Sequence, residues 1–155
     1  MSLVPANHYV LAGLVAAQLH DPPGLRVGVG GPDPEIGSHR CYGTALREVT
    51  RRILTRNGYH VLTAASGPDA LKTAEHTDHG IELLLTDVIM PHMLGKELAT
   101  KIRETCPAVK VLYMSGYAQP VLASQGTLDP GVTLVEKPFT ESRLLQRIRD
   151  VLDAR

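Results

Sequence analysis

Three polar residues stand where apolar runs stop. Asp87 follows "IELLLT" (81–86), Ser115 follows "VKVLYM" (109–114), and Lys137 follows "VTLV" (132–135) after the single residue Glu136. A carboxylate, a hydroxyl and an ammonium support a narrow chemistry: a nucleophile, a hydrogen-bonding partner for a transferred oxyanion, and a positive charge that offsets the negative charge gained. No histidine, cysteine or second acid is placed to complete a hydrolase triad. Each residue alone also has an ordinary reading. An Asp after a strand commonly caps a turn or helix, a Ser before Gly sits in a turn, and a Lys before Pro reaches solvent. Their recurrence at successive run ends is what argues for function, because ligands of open parallel sheets sit outside the carboxyl ends of the strands. At ~4.8 Å between strands the three would rim a hollow about 10 Å across, which suits a phosphate.

The elements that must position them follow from periodicity. From residue 44 onward short, nearly continuous apolar runs alternate with helix-period segments, the pattern of a parallel sheet covered by helices. The strands expected are 59–64, 81–86, 109–114 and 132–135, each suited to burial on both faces. "TALREVTRRILTRN" puts Leu46, Val49, Ile53 and Leu54 on one helical face, with Thr44 as N-cap and Gly58 just past the end. "SGPDALKTAEHT" opens like a capping box at Ser66 and Asp69; Leu94, Leu98 and Ile102 stripe a third helix that Pro107 stops. A last helix opens at Thr140 and buries Leu144, Leu145, Ile148, Val151 and Leu152, and a shorter one is expected near 118–125.

The first 43 residues read differently. "YVLAGLVAAQL" (9–19) belongs to a helix expected over 6–19, within an N-terminal appendage (1–24) that can cover a sheet edge, mediate a homodimer or remain loosely attached. A Pro/Gly-rich passage follows, with "LRVGVG" (25–30) as its one strand candidate, and the main domain is expected over 25–155. The third glycine of a nucleotide-binding G-x-G-x-x-G would fall on Asp33, so "GVGG" reads as a turn.

Composition narrows the classes. Sixteen basic and sixteen acidic residues cancel in this 155-residue chain, so no net charge draws it to nucleic acid or an anionic membrane. Arg51, Arg52 and Arg56 read as a solvated helix face, and the seven scattered histidines form no metal-ligand spacing. Cys41 and Cys106 match no metal or redox spacing. The run 9–19 is too short to span a bilayer, and the expectation is a cytoplasmic protein.

"LLLTDVIMPHMLGKELATKIR", "VLYMSGY" and "EKPFT" together resemble the receiver domain of two-component response regulators, most closely the receivers at the C-terminus of hybrid sensor histidine kinases. The resemblance runs from about residue 45 to 153. It implies a flavodoxin-like, doubly wound α/β fold with a five-stranded parallel sheet ordered 2-1-3-4-5. It also implies a phosphorelay role with a histidine kinase or phosphotransfer protein as partner. On the matching positions Asp87 is the phosphoacceptor, Ser115 the hydroxyl that follows the phosphoryl group in switching, and Lys137 the lysine that pairs with it. A cis bond is expected before Pro138, and Gly95 matches the glycine of the turn after "MP".

The resemblance further implies magnesium, held by the acceptor, by the backbone carbonyl of Ile89 and by an acidic pair ending the first strand. That pair is not identifiable here. Counting back from "ALREV" reaches Cys41 and Tyr42, which points to a replaced first strand; Asp33 or Glu35 supplies carboxylates only if "LRVGVG" is that strand. Leu134 stands where the family often has a switching aromatic, and Ile89 and Tyr117 are bulky neighbours expected to slow attack by water. Three readings follow: a phosphoacceptor receiver, a pseudo-receiver that binds a protein without phosphorylation, and an aspartyl phosphatase. The last would need a second Asp where Ile89 stands.

Overall fold

The computed structural model of the chain describes residues 9–13, 38–77, 80–90, 93–116 and 132–154, with side chains described from residue 46 onward. Five strands form one parallel sheet: β1 (Tyr9–Gly13), β2 (His60–Ala64), β3 (Leu83–Asp87), β6 (Lys110–Ser115) and β7 (Leu134–Glu136). A separate antiparallel pair, β4 (Ile89–Met90) and β5 (Met93–Leu94), follows β3 directly. The sheet runs β2-β1-β3-β6-β7, which is the expected order 2-1-3-4-5 when only its own strands are counted.

Among the described residues four helices cover it: α1 (Ser38–Arg56), α2 (Gly67–Glu75), α3 (Gly95–Thr105) and α4 (Glu141–Asp153). All five residues of β3 are buried, and its alternation divides the core. Leu83 and Leu85 join Leu112, Met114 and Val135 under Leu54 of α1 and Leu144, Ile148 and Val151 of α4. Leu84, Tyr113 and Leu134 face the other way, against Ala70 and Ala74 of α2 and Leu98, Ala99 and Ile102 of α3. Each fully buried Leu contributes about 1.5–3 kcal/mol, so both layers hold the sheet.

The first strand corrects the reading of the N-terminus. Residues 9–13 form no part of a helix over 6–19 and are no appendage; they are the inserted strand between β2 and β3, with Val10 to Gly13 opposite both Val61 to Ala64 and Leu83 to Thr86. An unbroken apolar run has no period to tell a buried strand from a buried helix, and here a slot with backbone partners on both sides decides. Counting back to Cys41 and Tyr42 also fails, because both are helical residues of α1. That count assumes a short turn between first strand and helix, whereas residues 14–37 intervene. Helix α1 starts before Thr44, so Thr44 is an interior residue rather than its N-cap. "LRVGVG", Asp33, Glu35, Tyr117 and the helix expected near 118–125 lie outside the described residues.

The helix ends follow local rules. Gly58 takes φ 88° past the end of α1, and the Tyr59 amide donates to the Leu54 carbonyl at 3.0 Å, closing the last turn. Ser66 Oγ accepts from the Asp69 amide at 3.2 Å and donates to its carboxylate at 2.8 Å; Thr140 Oγ1 accepts from the Arg143 amide at 3.2 Å. Leu94, expected inside the third helix, is instead its N-cap residue, and Glu97 Oε2 accepts from the Leu94 amide at 2.8 Å. At the opposite end of the sheet from Asp87, Lys110 Nζ donates to the carbonyls of Leu152 and Ala154, tying down the end of α4.

Two outcomes test this fold. Deleting residues 1–13 should abolish the cooperative urea transition, because it removes a strand paired on both sides; a true appendage would leave the transition in place. On the surface of α1, Glu48 accepts hydrogen bonds from Arg51 at 2.8 Å and Arg52 at 2.9 Å, and these bonds hold its carboxyl at about 2, below the ordinary 4.5. A depressed carboxyl stabilises above the unfolded value and loses that contribution as pH falls through the folded one. The contribution should therefore be whole above about pH 5 and fade toward pH 2. Carbon-detected NMR titration of Glu48 should show the low midpoint, and Arg51→Ala should raise it.

Candidate functional site

β3 delivers Asp87 as its last residue, so alternation carries the carboxyl group to the side of Leu83 and Leu85, and only 1% of the residue is exposed. β6 lies beside it in register, with Asp87 opposite Met114, and ends on Ser115, also buried. β7 ends at Glu136, opposite Ser115. Lys137 follows across a cis bond to Pro138, as expected.

The rim is knitted by backbone. The Val88 amide donates to the Met114 carbonyl at 3.0 Å, and the Lys137 amide donates to the Ser115 carbonyl at 2.7 Å. Lys137 Nζ then reaches across the end of β6 to form an ion pair with Asp87 Oδ1. The acid and the amine therefore share one rim, with Ser115 on the strand between them. The Lys137 side chain is 15% exposed, so the pair lies in a mostly dry setting where a charge without its counter-charge is costly.

Sequence reasoning missed two supporting residues. Thr86 is fully buried, and its hydroxyl donates to the Asp87 carbonyl at 3.2 Å and contacts Met90 Sδ at 3.5 Å, fixing the strand end to the β4–β5 pair. Met93, in that pair, packs against Gly67 at the start of α2. Nothing in the sequence around "LTDVIM" distinguishes that hydroxyl from an ordinary strand threonine. Of the remaining expected residues, Ile89 is 40% exposed just past the end of β3, and Leu134 is buried opposite Tyr113.

An aspartate at the carboxyl end of a central parallel strand, ion-paired with a lysine from the edge strand, defines a class of open α/β domain with one polar rim. The chain matches the response regulator receiver domain family over residues 43–149, and it belongs to that family. Receiver domains are signalling modules of two-component phosphorelays rather than enzymes, and their partners in general are histidine kinases. The match begins inside α1, so it leaves out the segment that supplies β1. The chain is 33% identical over 109 residues to the sensor kinase CckA of Brucella abortus, covering 70% of this chain but 12% of the kinase. It is 30% identical over 109 residues to the response regulator receiver protein CpdR of the same organism, covering 70% of this chain and 89% of CpdR. The fold is also that of the receiver domain of sensor histidine kinase PA1611 from Pseudomonas aeruginosa, solved with a magnesium ion in its active-site cleft (TM-score 0.65, 18% identity, covering 96% of this chain and 100% of that one). Among the described residues no helix is long and apolar enough to cross a membrane.

Receiver domains bind Mg2+, a hard cation that takes several oxygen ligands. The described residues here do not fit one. No group of three or more His, Cys, Asp or Glu side chains gathers among them. β1 reaches the rim with Gly13 opposite Thr86, and the sequence after it, "LVAAQLH", carries no acid. Asp87 faces the Lys137 ammonium instead.

The ion pair makes a stability prediction. Lys137→Met leaves the Asp87 carboxylate buried without its ammonium and should cost about 3–5 kcal/mol by urea unfolding. Asp87→Asn in the same background should restore most of that loss; a cost that persists in the double variant would mean the lysine acts through packing.

Proposed function

We propose that this domain accepts a phosphoryl group on Asp87 from a phosphohistidine of a histidine kinase or phosphotransfer protein. The observation that carries the reading is the Asp87–Lys137 ion pair at the carboxyl end of the sheet. A carboxylate oxygen attacks phosphorus, the P–N bond breaks, and the imidazole leaves with its electron pair and takes up a proton. The acyl phosphate carries more negative charge than the carboxylate it replaces, and Lys137 lies ready to oppose it. Ser115, ending the strand between them, is the hydroxyl assigned to the phosphoryl oxygens. Ile89 crowds the approach of water, so a phosphoaspartate formed here should be long-lived.

A second reading rests on a specific observation. Asp87 is buried against an ammonium, and the described rim has no carboxylate cluster for magnesium. A domain in that state suits a pseudo-receiver that recognises a protein partner without phosphorylation. Under either reading the chain resembles both a hybrid kinase, CckA, and a free-standing regulator, CpdR, to a similar degree.

Incubation with acetyl phosphate and Mg2+ should give slow formation of an acid-stable, base-labile phosphate that is lost in Asp87→Asn. Wild type that stays unlabelled while a control receiver labels would leave the pseudo-receiver. In parallel, Mn2+ titration followed by its electron paramagnetic resonance should show little protein-bound ion. Tight binding lost in Asp87→Asn would contradict the misfit, and Asp33→Asn and Glu35→Gln would then locate the ligands.

A further inference from the structure

The N-terminal residue of α3 touches the backbone of the acceptor. Gly95 is buried, and its amide donates to the Val88 carbonyl at 2.8 Å. A Cβ built on it would lie 2.2 Å from the Asp87 carbonyl oxygen, 3.2 Å from the Asp87 carbonyl carbon and 3.3 Å from Cε1 of Tyr113. The nearest obstacle is main chain, which cannot rotate away as a flexible side chain does. Gly67 offers the contrast: its closest obstacle is Met93 Sδ at 2.8 Å, the movable part of a long side chain. Gly58, Gly80 and Gly116 would meet nothing within 4 Å. Among Gly58, Gly67, Gly80, Gly95 and Gly116, Gly95 is therefore the one whose missing side chain lets a helix start lie directly on Asp87.

We infer that Gly95 is a positioning residue for Asp87. The Asp87–Val88 segment is held from three directions: Thr86 Oγ1 donates to the Asp87 carbonyl, the Val88 amide donates to Met114, and the Val88 carbonyl accepts from Gly95. Only the Gly95 contact comes from a helix. A substituent there must push the Asp87 carbonyl or lift α3, and rotation of that peptide turns the carboxylate away from Lys137. The same contact passes displacement in reverse, from a modified Asp87 to the first turn of α3. Tyr113, buried on β6 beside the same glycine, closes the gap behind it.

The test compares Gly95→Ala with Leu98→Ala, a fully buried position of α3 chosen to loosen the helix without adding an atom beside Asp87. The inference rests on the acceptor reading for its labelling arm alone. At equal folded fraction, Gly95→Ala should label with acetyl phosphate about 100-fold more slowly than wild type, as a misplacement of ~1 Å can produce, whereas Leu98→Ala should label like wild type. The Asp87 carboxyl carbon resonance should move in Gly95→Ala and hold still in Leu98→Ala, and this needs no phosphorylation. If Gly95→Ala does not fold, hydrogen exchange of the Gly95 amide in Asp87→Asn stands in for it, and should speed up relative to wild type. The inference is overturned by equal labelling in the two α3 variants, by an unmoved Asp87 resonance in Gly95→Ala, or by unchanged Gly95 exchange. It is overturned as well if Tyr113→Leu restores Gly95→Ala, since the ring and not the acceptor would then be what the methyl strikes. Unlabelled wild type with a moved resonance separates failure of the acceptor reading from failure of this one.

Discussion

A charge buried at the end of a strand needs a counter-charge, and the Asp87–Lys137 pair meets that need across the width of a whole intervening strand. Asp87 ends β3, Lys137 follows β7, and β6 lies between. The pair therefore fixes the carboxyl ends of three strands against one another and explains why the rim backbone is closely hydrogen-bonded at Val88, Met114, Ser115 and Lys137. Removing either partner alone disturbs the sheet end as well as the chemistry. Most of the site's organisation, from the buried Thr86 to the short β4–β5 pair, keeps that one carboxylate facing that one amine.

The placement of the rim residues was legible because it obeys a rule of topology. Polar residues that end apolar strands in an alternating α/β pattern must lie along one edge, so Asp87, Ser115 and Lys137 could be assembled before any coordinates. The same pattern gave four of the five sheet strands, and the resemblance to receiver domains implied the sheet order. It could not give the fifth. "YVLAG" within "YVLAGLVAAQL" lacks alternation and a turn signal, and its identity as a strand depends on the paired edges of β2 and β3, which are remote in sequence. The helix boundaries erred for a local reason: Thr44 is a good capping residue, but α1 extends six residues beyond it toward the N-terminus.

Contacts at the scale of one methyl group were not legible at all. A glycine in a turn is expected for many reasons, and "MLGKEL" gives no hint that this one lies against the Asp87 carbonyl oxygen. Nor does the sequence reveal that the Lys137 ammonium already pairs with the unmodified Asp87 carboxylate. These facts depend on where β3 and α3 meet, which sequence spacing alone does not specify.

The insertion of β1 between β2 and β3 has a consequence for how the chain reaches this shape. Tyr9 must find His60 and Val10 must find Leu83, so the centre of the sheet assembles from its most distant pairings, and closing such long loops costs entropy before the contacts repay it. Until the segment arrives, the facing edges of β2 and β3 present unmatched amides and carbonyls to any extended peptide nearby. Completion of the sheet centre thus waits on contacts between segments far apart in the chain. That interval is when the protein is most exposed to misassociation.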